Sequence, residues 1–134
     1  MDRYTQTANI KAAERRRLLG DLKQLAADIG RCQETITAVS SELKSANAKY
    51  QGERSTRQEV DYLTVLLSCA KRKLAWEKQI ASLQKRAPVL LESLSNIMND
   101  RNHPPSEELK AEMLDSLTKV QGAMERLQKL EAGE

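Results

Sequence analysis

His103 is the only histidine in the chain, and it stands between Asn102 and Pro104 in a segment with no cysteine and no clustered acids. General acid–base or metal chemistry needs partners converging on an imidazole. None is evident, so a solvated loop residue is expected. The other candidate nucleophiles are two thiols, Cys32 and Cys69. Both fall on apolar positions at helical spacing, where a free thiol behaves as a small hydrophobe, and a disulfide is the less favoured reading for a chain of intracellular character. The sequence has no glycine-rich phosphate loop, nucleophile elbow or zinc spacing. No cofactor or metal is implied, and the chain is not expected to be an enzyme.

Charge is the second chemistry on offer. Arg15, Arg16 and Arg17 form one basic run, and Lys71, Arg72, Lys73, Lys78, Lys85 and Arg86 form another. Such clusters can contact a polyanionic surface, for example a microtubule, a nucleic acid or an anionic membrane. Glu14, Asp21, Asp61 and Glu77 dilute these fields, and no aromatic residues are interleaved to stack on bases. Solvated or salt-bridged faces are the simpler expectation, and a nucleic acid is not the expected partner. The formal charge of +3 is small for 134 residues. It is unevenly spread, net basic up to Asn99 and net acidic from Asn102 onward.

The elements that carry these residues are helical. With no phenylalanine, one tryptophan and 31% charged residues, the chain lacks the makings of a thick globular core and suits long amphipathic helices. The first helix, expected over about 3–51, has a clean seam from Leu18 through Leu22, Leu25, Ile29, Cys32, Ile36, Val39, Leu43 and Ala46 to Tyr50. Its steps alternate between four and three, the signature of a coiled coil. Before Leu18 the same phase gives Tyr4, Ala8, Lys11 and Arg15, so the first turns are expected to fray or to wait for a partner. A second helix, expected over about 56–99 and kinked near Pro88, has two seams. One runs from Tyr62 through Leu66, Cys69, Trp76, Ile80 and Leu83 to Ile97, broken only by Lys73, where a basic residue in a core position would fix register or partner choice. The other is strong over Val60, Leu63, Leu67, Ala70 and Leu74 and thins beyond. Two seams ask for two neighbours, so this helix is expected to be the middle one of a bundle.

Gly52 can take the left-handed conformation that ends a helix, and Ser55 with Gln58 makes a capping box. A reversal there lays the first two helices antiparallel. Two registers compete, and the one setting Tyr50 against Tyr62, Ile36 against Trp76, Ile29 against Leu83 and Leu25 against Ala87 opposes small and large side chains more evenly. The competing arrangement is one unbroken helix to Lys85, paired in parallel with a second copy. A third helix, capped by Ser106 and expected over about 106–131, carries Met113, Leu117, Val120, Met124 and Leu127 on its seam. Folded back, its roughly 40 Å reach only to about Leu74. Met98, Met113 and Met124 are expected in the core, as is Trp76.

The expected fold is therefore all-α: a long antiparallel helical hairpin with a shorter third helix packed back on it, a three-helix bundle at one end and a two-helix stalk at the other. Val60, Leu63, Leu67, Ala70 and Leu74 are left without a neighbour, and contiguous apolar surface of that kind marks an interaction site. The expected function is a scaffold or adaptor subunit assembling through this seam with another helical protein or as a homodimer. By analogy with long hairpins of similar composition, a cytoskeletal or trafficking complex is its setting. The alternative is electrostatic attachment through the basic clusters. No apolar run approaches the roughly 20 residues of a membrane span, and the chain is expected to be soluble and cytoplasmic.

Overall fold

The computed structural model describes residues 3–132, which form three helices: α1 (Arg3–Lys49), α2 (Thr56–Met98) and α3 (Glu107–Glu131). Their boundaries follow from local chemistry. Gly52 takes φ +82°, and after it the Ser55 hydroxyl accepts from the Gln58 N–H while the Gln58 side chain accepts from the Ser55 N–H. This reciprocal cap satisfies two donors that the start of α2 would otherwise leave unpaired. Ser106 caps α3 through the Leu109 N–H, with Glu107 and Glu108 in the positive first turn. Pro88 lies inside α2 without ending it. It removes one backbone donor, and because Pro88 and Gln84 are both exposed, solvent can reach the carbonyl left over.

α1 and α2 are antiparallel in the register that opposes small and large residues. The Tyr50 and Tyr62 rings lie 5.7 Å apart, Arg72 forks onto Glu42, and Arg86 Nη1 is 2.8 Å from Asp28 Oδ2. The hairpin with its folded-back third helix is thus the observed architecture. Its core lies at the three-helix end, where Leu25, Ile29, Cys32 and Ile36 of α1 meet Ile80 and Leu83 of α2 and Val120, Ala123 and Leu127 of α3. A second cluster of Leu18, Leu19, Leu22, Leu94 and Met113 continues it toward the α2–α3 loop. Met98 and Met124 pack against these clusters, as does Trp76, which remains partly exposed. Both cysteines are buried and free.

The middle helix, however, is α1 and not α2. α1 packs closely along both of the others, whereas the backbones of α2 and α3 stay farther apart and meet only through side chains of the shared core. The reason lies in a row beside the α1 seam formed by Ala12, Leu19, Ala26 and Gln33. Three of these four are small or polar, which lets α3 come close enough for the Gln33 amide to donate to the Ala123 carbonyl at 2.6 Å. The second seam of α2 therefore faces outward. The first turns of α1 are also helical from Arg3 rather than frayed.

Ile29 is completely buried, so Ile29→Ala should cost about 2–5 kcal/mol in chemical denaturation. Gly52→Ala, at a position with open space but positive φ, should cost only about 1–2 kcal/mol.

Candidate functional site

α3 ends at Glu131, and its last turn marks where the bundle becomes a stalk. Leu130 and Glu131 share a cleft of about 680 Å³ with Val39, Ser40, Leu43, Leu66, Ala70 and Lys73. α3 thus reaches the level of Lys73 and Leu74, as its length requires, and beyond it α1 and α2 have only each other. On the outward face of α2, Val60, Leu63, Leu67 and Leu74 are 57, 52, 57 and 56% exposed. Ala70, between them on the same face, is exposed as well. At 1.5 Å per residue this apolar stripe is roughly 20 Å long, and it borders the cleft through Ala70.

Lys73 sits where the first α2 seam passes this boundary. It is exposed, lines the cleft and takes no ion pair among the described residues. It is not a buried cation in a finished core, because α3 stops before covering it. The far end of the stalk is closed by a cluster in which Arg54 lies 4.2 Å from the Tyr62 ring centre and pairs with Glu59, and the Tyr62 hydroxyl donates to Asn47.

The basic residues divide into two groups. Arg15 is buried, Arg72 is held by Glu42 and Arg86 by Asp28, so these three serve helix pairing and are not free for a polyanion. The guanidinium of Arg86 holds the Asp28 carboxyl below its usual range, against the opposing effect of partial burial. Arg16, Arg17, Lys71, Lys78 and Lys85 remain exposed. Arg16 and Arg17 lie at the loop end of α1, whereas Lys71 lies on the stalk, so the fold does not bring the two runs into one patch.

Arg15 belongs to a knot that the sequence did not reveal. Asp100, just past α2, accepts from the Asn102 and His103 N–H groups through Oδ1, both at 3.0 Å. Its Oδ2 takes Lys11 Nζ at 2.7 Å and Arg15 Nη2 at 3.2 Å, and Arg15 also donates to the His103 carbonyl. Tyr4 stacks on the His103 ring with centroids 5.2 Å apart. Of the positions that continue the α1 seam, Lys11 and Arg15 thus dock the α2–α3 loop by polar contacts and Tyr4 by stacking. His103 is accordingly not a solvated loop residue: it is half-buried, and its ring nitrogens are buried without a hydrogen-bond partner. Asp100 could have been suspected only from its place before a turn, where a carboxylate characteristically accepts from the following backbone.

Among the described residues there is no group of three or more His, Cys, Asp or Glu able to hold a metal, and no helix long and apolar enough to cross a membrane. Burial, with a smaller contribution from the Glu131 charge, raises the Cys32 thiol above its ordinary pKa, opposite to what a reactive thiolate needs. No protein-family model, curated protein or solved structure matches the chain. The exposed α2 stripe with its cleft is the candidate site, and what it presents is apolar side chains at helical spacing.

Hydrogen bonds from Lys11 and from the loop N–H groups hold the Asp100 carboxyl down to about 2. A depressed carboxylate stabilises the fold above its unfolded pKa near 3.9 and loses that contribution as pH falls toward 2. Denaturation midpoints measured from pH 5 to pH 2 should therefore fall more steeply for the native chain than for Asp100→Asn, which is already weakened at pH 5.

Proposed function

We propose that this chain is a non-enzymatic scaffold or adaptor subunit that assembles with a helical partner through the Val60–Leu74 face of α2. The observation that carries the reading is the coincidence of three features on one stretch: apolar residues at alternating three- and four-residue steps, four large side chains more than half exposed, and an edge at Ala70 on the cleft where α3 ends. Water on such a stripe is unfavourable by about 25 cal/mol per Å² of apolar surface, and a helix laid along it removes that surface at the spacing it presents. A small ligand would want an enclosed concave pocket with converging polar groups. This surface is open and elongated, and suits a helix.

A cytoskeletal or trafficking complex in the cytoplasm is the setting proposed for such a subunit, on the analogy of long helical hairpins that join larger assemblies. Electrostatic attachment to a polyanion has less support. Three of the nine residues in the two basic runs, Arg15, Arg72 and Arg86, are committed to partners within the chain.

Leu67→Glu places a charge in the centre of the stripe without touching the core. Co-purification of the tagged chain with its helical partner, or with a differently tagged copy of itself, should fall at least tenfold. Helicity by circular dichroism should stay within about 10% of the native value, since an exposed substitution away from caps and core costs little. A complex recovered in undiminished yield would dispose of the assembly reading.

A further inference from the structure

The stripe and the cleft continue a packed interface. α3 covers one flank of the α1–α2 pair as far as Ser40 and Lys73, and past that level the same flank is lined by Leu43, Leu66 and Ala70, the last of which joins it to the outward stripe of α2. We propose that a second copy of this chain occupies it. The stalk of the second copy lies antiparallel to the first about a two-fold axis near Leu66, so that two two-helix stalks close into one four-helix section. This rests on reading the Val60–Leu74 face as an assembly surface, and adds the identity and order of its occupant.

Length is the first argument. The uncovered section is roughly 20 Å long and is bounded by the end of α3 on one side and by the Gly52 turn on the other. The stalk of a second copy has the same length and the same deficit, so each copy fills the vacancy of the other and the symmetry closes without leaving a free face. The size is sufficient. A specific interface at the low end buries about 1,200 Å² in total, or about 600 Å² from each copy. A patch some 20 Å long and two helices wide, with four apolar side chains more than half exposed, is on that scale.

Side-chain pairing sets the order. Around an axis near Leu66, Leu63 meets Leu67 of the second copy and Val60 meets Ala70, so large and small residues alternate as they do within the hairpin. The same register puts Glu59, whose Oε2 pairs with Arg54 of its own chain while Oε1 takes no ion pair among the described residues, beside Lys73 of the second copy, on the flank that borders the cleft, and the two-fold repeats the contact. Lys73 has no ion pair of its own among the described residues, and the second copy supplies one. A parallel arrangement would instead set Lys71, Arg72 and Lys73 of the two copies together, where like charges repel. Glu59 and Lys73 of one copy are roughly 20 Å apart along α2, so they cannot reach each other within a chain.

Light scattering on the purified chain across concentration reads the mass, and charge reversal reads the order. The native chain, 15.1 kDa as a monomer, should approach twice that mass, and Leu67→Glu should return it to the monomer. Glu59→Lys and Lys73→Glu should each weaken the dimer about tenfold, since each replaces two attractions between copies by two repulsions; Glu59→Lys also breaks the exposed pair with Arg54, a loss that costs the folded monomer little. The double variant Glu59→Lys/Lys73→Glu should recover to within about threefold of the native chain. Thermal melting of each variant confirms that the monomer remains folded. A chain that stays monomeric at every concentration overturns the second copy; if Leu67→Glu then still abolishes co-purification with a different helical protein, the assembly reading survives. A dimer whose double variant is no better than the singles overturns the antiparallel order, and a dimer indifferent to Leu67→Glu overturns both.

Discussion

Everything in this molecule depends on one helix being buried from two sides. α1 is 47 residues long, and its fully enclosed residues, Leu22, Leu25, Ile29 and Cys32, are enclosed because α2 and α3 lie on adjacent flanks of it. Neither of the shorter contacts would suffice alone. A helix pair in water exposes too much of each partner, and a helix gains most of its stability from the face it packs. The third helix supplies the missing cover over only part of that length. The bundle and the stalk are consequences of 25 residues of α3 being set against 47 of α1, and the exposed stripe follows from α3 choosing α1 over α2.

The features legible in the sequence were those fixed by local chemistry or by strict repetition. Gly52, Ser55 and Gln58 specify the reversal within a few residues, and nothing distant competes with them. The Leu18–Tyr50 and Tyr62–Ile97 seams could mate in only a few registers, and side-chain size separated those. The centre of the bundle was less legible because α3 packs on a row of α1 that is barely apolar. Ala12, Ala26 and Gln33 invite a neighbour by being small or by offering a hydrogen bond, whereas a periodicity argument looks for leucines. The second seam of α2 is the converse case. Its apolar repeat states that the face needs cover, but not which chain provides it.

The loop knot around Asp100 was illegible for a different reason. Lys11 and Arg15 looked like a decaying seam and part of a basic run, and Asp100 like an ordinary turn residue; their meaning is their contact across 85 to 89 positions of sequence. The same contact changes what the arginine run can do, since Arg15 is consumed in tying α1 to the α2–α3 loop. Arg16 and Arg17, one and two residues on, point away and stay exposed. Within three consecutive identical residues, helical phase alone divides structural from surface roles.

The end of α3 also divides the molecule by how readily it opens. Below it, backbone amides sit in a three-helix core with polar ties at the loop; above it, two helices hold each other through Leu43, Ala46, Tyr50, Tyr62 and Leu66 with solvent on most sides. Local opening follows the density of buried apolar contacts, so amide exchange in an isolated chain would run as a gradient, fast from the Gly52 turn and slow around Ile29. The stalk is then the part of the chain that opens at least cost while the base stays shut, so stability falls along one continuous pair of helices without a break in either.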